Sequence, residues 1–180
     1  MYNVSVPIPD DVLYDAHLSK KTDRNLCQTG CCLVLLSKIS SNYISSRAWL
    51  RDVVGGREAV LCRVSALEFL EMFVGYINEK NIYVYAKDKC LPDNVQCSLV
   101  NNFDGIEYLV LGNVMCTTFN QTINDMLRNI NNEDESAIIE ALSNYYYAHG
   151  ESFDGLDIAT DNIASFQALK SVAMDYYSRG

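Results

Sequence analysis

The stretch Glu107-Tyr108-Leu109-Val110-Leu111-Gly112-Asn113-Val114-Met115-Cys116-Thr117-Thr118 decides the fold class. Two β-prone runs flank Gly112-Asn113, a dipeptide that predicts a tight two-residue hairpin. The second run leads directly into Thr118-Phe119-Asn120-Gln121, which has the form of a helix capping box. In that motif the hydroxyl accepts from the third helical N–H and the amide reaches back to the cap. Ile123, Met126, Leu127 and Ile130 follow at helical spacing and form one apolar stripe. A hairpin feeding an amphipathic helix needs both a sheet layer and a helix layer.

The same two periods extend in both directions. Upstream, 82–86 and 95–100 are β-branched and aromatic, the composition of strands. Ala59-Val60-Leu61-Cys62 is a short buried strand, and Ser65-Ala66-Leu67-Glu68 has the form of another capping box. Its helix carries Ala66, Phe69, Leu70 and Phe73, with Gly75 to close it. Residues 48–54 form a short helix ended by Gly55-Gly56. Downstream, Asn132-Glu133-Asp134-Glu135 resembles a third capping box. It opens a helix with Ala137, Ile138, Ala141, Leu142 and Tyr145 on one face and His149-Gly150 at its end. The last helix starts near Asn162, with Ile163, Phe166, Leu169, Val172, Ala173 and Tyr176 on one side. The predicted class is α+β (mixed α/β): one small sheet packed by amphipathic helices.

Residues 1–46 read as a separate strand-helix-helix segment, and 47–180 as the main domain. Val4, Val6 and Ile8 alternate as in a strand, with Pro7 and Pro9 restricting it to an edge. Asp10 or Asp11 caps a helix over 12–18, a polar break spans 20–25, and a second helix covers 26–39 despite Gly30. The Ser- and Asn-rich stretch 37–46 is the linker.

Charge is unevenly spread. The chain of 180 residues has a net charge of −9. Residues 1–63 hold eight Lys/Arg against six Asp/Glu, and 64–180 hold six against seventeen, a net of −11. An acidic body repels phosphate backbones, so any DNA contact belongs to the N-terminal third. That segment is similar in outline to a ribbon-helix-helix unit, whose paired strands enter the major groove. The candidate DNA-contact residues are Asn3 and Ser5 near bases and Lys20, Lys21 and Arg24 on phosphates. Pro7 interrupts the ribbon's donor pattern, and a plain edge strand with a helical hairpin fits equally well.

Catalytic and metal chemistry finds little support. The seven cysteines (Cys27, Cys31, Cys32, Cys62, Cys90, Cys97 and Cys116) include no C-x-x-C pair, and the only histidines are His17 and His149. Zinc needs a second close ligand pair, so buried thiols acting as small hydrophobes are the simpler reading. No signal-peptide pattern is read ahead of them, which points to reduced thiols in a cytoplasmic protein. A cysteine nucleophile needs an activating imidazole, and neither histidine has a fitting local context. The carboxylates of 133–135, Asp154 and Asp157 suit helix starts. Gly55-Gly56-Arg57 is a turn and too short for a nucleotide fingerprint. Asn144-Tyr145-Tyr146-Tyr147 fits core and rim packing better than a base-stacking platform. No catalytic residue, metal or cofactor is therefore expected. The longest apolar run, 31–36, is too short to cross a bilayer.

Residues 47–178 resemble the C-terminal domain of the abortive-infection E-type (AbiEi-like, type IV) antitoxin and transcriptional regulator family. The resemblance rests on 59–70, on the strand 82–86, and on 114–127. In such proteins a Ser-Ala-Leu helix follows a short strand, matched here by Ser65-Ala66-Leu67. A hairpin strand later runs into a helix of the form matched by Thr122-Ile123-Asn124-Asp125-Met126-Leu127. The resemblance implies a bacterial, non-catalytic antitoxin that counters a nucleotidyltransferase toxin and represses its own operon. The partners it implies are a cognate toxin and operator DNA, with a homodimer allowed by the ribbon-like N-terminus. Members usually carry an N-terminal winged helix, and 1–46 departs from that pattern. The alternative is a stand-alone protein-interaction domain of a phage or mobile-element defence system without DNA binding.

Overall fold

The computed structural model describes residues 46–74, 81–89, 91 and 93–179. The N-terminal strand-helix-helix reading, with Asn3, Ser5, Lys20, Lys21 and Arg24, lies outside the described residues, as do Gly75 and Cys90.

Short β-branched runs become strands here because each finds a neighbour to complete its hydrogen bonds. Helix α1 (Ser46–Val54) leads to β1 (Ala59–Leu61), α2 (Arg63–Phe69), β2 (Ile82–Ala86) and β3 (Val95–Leu99). Then come β4 (Tyr108–Leu111), β5 (Val114–Thr117), α3 (Phe119–Arg128), α4 (Glu135–Ala148) and α5 (Ile163–Met174). The described strands form one mixed sheet in the order β3-β2-β1-β5-β4. The central β1 runs antiparallel to β2 and parallel to β5. The fold is therefore α+β, as the alternation of periods predicts. Among the described residues no helix is long and apolar enough to cross a membrane.

The predicted hairpin forms as read: Leu111 pairs with Val114 across Gly112-Asn113. Gly112 takes φ +65° while Asn113 is not among the positive-φ residues, the type II′ pattern that suits glycine at the first turn position. The turn after α1 docks on this loop, with Gly56 N–H donating to the Asn113 carbonyl at 2.7 Å. A Cβ on Gly55 would collide with the Arg51 carbonyl and come within 2.5 Å of the Asn113 amide. Glycine is required there by close approach.

Two clusters make the core. One face of the sheet, including Ala59, Leu61, Ile82, Val84, Val114 and Cys116, packs against Trp49, Leu50 and Val53 of α1 and Ala66 and Phe69 of α2. The second cluster joins Ile123, Met126 and Leu127 of α3 to Ala137, Ile138, Ala141 and Leu142 of α4 and Phe166, Leu169 and Ala173 of α5. Leu67 of α2 belongs to that second cluster, so α2 faces both. Truncating such a fully buried leucine costs about 2–5 kcal/mol.

Several local expectations are corrected. Helix α2 begins at Arg63, and its cap Cys62 makes no side-chain capping bond. Ser65 therefore sits inside the helix, buried, and accepts from Tyr83 N–H at 3.1 Å. The helix ends at Phe69, before Gly75. Thr118 does cap α3 by accepting from Gln121 N–H, but the Gln121 side chain turns to Asp125 instead of back to the cap. The cap of α4 is Asp134, which accepts from Ser136 and Ala137 N–H, and not Asn132. On α5, Phe166, Leu169 and Ala173 are buried and Ile163 is exposed; Tyr176 lies past the end of the helix and is exposed.

Candidate functional site

The helix α2 start, β2, α3 and the residues before α4 enclose a polar recess of about 270 Å³. Tyr83 and Tyr85 are two apart on β2 and so project from the same face of the sheet. Helix α3 reaches this face with Asp125, the one buried charged residue among the described residues. Its carboxylate accepts from Tyr85 Oη (2.9 Å), Gln121 Nε2 (2.9 Å) and Arg128 Nη1 (3.0 Å). Three charge-assisted donors offset the cost of taking the carboxylate out of water. Burial is the main reason that the Tyr85 phenol titrates above its ordinary range, with the Asp125 charge adding to it.

The other half of the recess is an ion pair. Arg63 Nε lies 2.6 Å from Glu133 Oε1, and the Glu133 side chain is only 4% exposed. The guanidinium also stacks over the Tyr83 ring, 4.1 Å from its centroid, and Nη2 donates to the Asn132 carbonyl. Desolvation raises the Glu133 pKa, Arg63 opposes the rise, and the Asp125 charge adds to it. Arg63 adopts φ +53° as the first residue of α2. A non-glycine residue in that region carries on the order of 1–3 kcal/mol of strain and persists only where its surroundings fix it. Here the ion pair and the ring stack fix it. Ser98, Asn129 and Asn132 complete the lining with neutral donors and acceptors.

No protein-family model matches this chain, and no curated protein matches it.

The recess was not picked out from the sequence. Its signal was a carboxylate, Asp125, set beside Ile123 and Met126 on the buried side of a helix. Its lining draws on stretches far apart in the sequence, with Arg63 from 59–70 and Asp125 from 114–127. Among the residues that were singled out, Asp134 serves as a helix cap. Asp157 offers only its backbone carbonyl to Asn124. His149 is the C-terminal cap of α4 and stacks on Tyr145 at 3.8 Å. Tyr145 is buried and stacks on Phe119 at 5.1 Å, while Tyr147 is exposed. Cys62 and Cys116 are buried and, with Cys97, outside any disulfide. Among the described residues, no group of three or more His, Cys, Asp or Glu is placed to hold a metal ion.

Proposed function

We propose that this chain works by association: it is a cytoplasmic, antitoxin-like regulator of a bacterial toxin–antitoxin system, and its partner is a nucleotidyltransferase-type toxin. The observation that carries a binding role is the outer strand β4. Tyr108, Leu109 and Val110 are 38%, 44% and 63% exposed, and β4 ends the sheet order of the described strands. Its sequence Tyr-Leu-Val-Leu contains no charge and no proline, the devices that usually protect a bare strand edge. The register leaves the backbone groups of Tyr108 and Val110 pointing away from β5, because Glu107 and Thr118 already form a bonded pair. A partner strand can add there through main-chain bonds.

The resemblance of 59–70 and 114–127 to the antitoxin family supplies the class of partner.

Co-expression with the product of the adjacent gene tests the proposal. Growth inhibited by that product is restored by this chain, and Val110→Lys, which places a charge on the edge, abolishes the rescue without unfolding the protein. Absence of rescue by the unaltered chain would overturn the antitoxin reading. A gel shift with the upstream DNA at low salt separates the regulator from an interaction domain without DNA contact. Replacing Lys20 and Lys21 by Glu should then remove the shift.

A further inference from the structure

Four tyrosines gather where the end of α4 meets the last turn of the described chain. Tyr147 and Tyr177 have ring centroids 5.6 Å apart, Tyr176 and Tyr177 5.1 Å, and Tyr146 and Tyr147 5.3 Å. Tyr147, Tyr176 and Tyr177 are 38%, 37% and 55% exposed. Rings so placed would ordinarily bury more area, since their bodies are apolar. They are also held. Tyr147 Oη donates to the Met174 carbonyl (3.0 Å), Tyr177 Oη to Asn144 Oδ1 (2.5 Å) and Tyr176 Oη to Glu140 Oε2 (3.3 Å). Fixed rings lose little conformational entropy when something binds them.

Carboxylates outnumber cations around them, the cations being Lys170 and, two residues after Tyr177 in sequence, Arg179. Glu140 bonds Tyr176, Asp175 precedes it in the chain, and Glu151 N–H bonds the Tyr146 carbonyl. Lys170 lies over the Phe153 ring at 5.7 Å. Residues 64–180 as a whole carry a net −11. Such a surface repels phosphate backbones, and it repels a second copy of the same chain. It attracts a cation, and a guanidinium stacks on aromatic faces better than an ammonium does.

We propose that the tyrosine cluster Tyr146, Tyr147, Tyr176 and Tyr177, rimmed by Glu140, Glu151 and Asp175, is the docking surface for an arginine-bearing segment of a partner protein. The assignment rests on the reading of this chain as a binding protein, and it names the chemistry of what is bound. The surface is distinct from β4: one edge adds a strand, the other takes side-chain cations.

The test uses the full-length chain and three fluorescein-labelled synthetic peptides with Arg, Lys or Glu at alternate positions. The arginine peptide binds most tightly and the glutamate peptide does not bind. The double variant Tyr147→Ser/Tyr177→Ser keeps the net charge and weakens the arginine peptide on the order of tenfold. Tyr177→Phe keeps the ring, removes the hydroxyl and binds within about twofold of the unaltered chain, which separates loss of the surface from loss of the fold. Tyr108→Ser on β4 leaves peptide affinity unchanged. Equal affinity for the Arg and Lys peptides, or a double variant that binds as well as the unaltered chain, would overturn the assignment. So would tyrosine-dependent binding of single-stranded DNA. The growth assay keeps the two proposals apart. Rescue that survives in the double variant sinks this surface and spares the antitoxin reading. Rescue that is absent in the unaltered chain sinks the antitoxin reading, while the peptide result still decides the surface.

Discussion

Tyr85 Oη donates a 2.9 Å hydrogen bond to Asp125 Oδ2, tying the middle of the sheet to the helix that follows the hairpin. The bond joins residues forty positions apart, and Gln121 and Arg128 hold the same carboxylate from within α3.

Removing either partner should therefore be felt. Asp125→Ala leaves the phenol and amide without their acceptor and lowers unfolding free energy by about 2–3 kcal/mol. Tyr85→Phe costs about 1–2 kcal/mol. The double variant should lose less than the sum, with a coupling of about 1 kcal/mol, read by urea denaturation. Strict additivity would show that the contact contributes nothing of its own.

Glu133 gives a pH signature. Burial raises its folded pKa above the ordinary value of 4.5, despite Arg63. Between those two values the folded state holds the proton more tightly than the unfolded state does. Stability then declines as pH rises through that window. Glu133→Gln lacks the effect, so the stability difference between the original and the variant is constant below about pH 4.5. Above it, the difference moves against the original protein until the folded value is passed. Parallel pH curves for the two proteins would contradict this.

Thiol chemistry follows burial. Desolvation pushes the Cys62 thiol far above its usual range and the Cys116 thiol up to about 12. Both should resist iodoacetamide at pH 8 in the folded protein and react only in denaturant, with peptide mapping to locate the label. Partly buried Cys97 should react before them. Cys62 alkylated at the same rate with and without denaturant would refute the assignment.

Two helix starts separate what a sequence can and cannot convey. Asp134→Ala should cost about 1 kcal/mol because it removes the cap of α4, whereas Asn132→Ala should cost far less. Ser65→Ala should destabilise by about 1–2 kcal/mol even though alanine favours helices. The reason is the lost acceptor for the partly buried Tyr83 N–H. Thermal melts check all three.

The local elements were legible because their signals are local. Gly112-Asn113 announces its own turn, 82–86 its own strand, and Ala137, Ile138, Ala141 and Leu142 their common face. Ser65 was misread because hydroxyl and glutamate spacing looks the same whether the hydroxyl faces its own helix or a neighbouring strand. The recess was not legible at all. Arg63, Tyr85 and Asp125 come from three separate elements and Glu133 from the turn before α4, and only the tertiary fold brings them together. The N-terminal candidates Asn3, Ser5, Lys20, Lys21 and Arg24 lie beyond the described residues.

The pairing of Val60 with Met115 and of Leu61 with Cys116 governs how this chain can be made. One flank of the innermost strand stays vacant until the ribosome has delivered a segment more than about fifty residues further on. Closing so large a loop is entropically slow. Nascent chains that stall or are cut before residue 114 would present that flank to one another, so truncated products of this gene should aggregate while the full-length product does not.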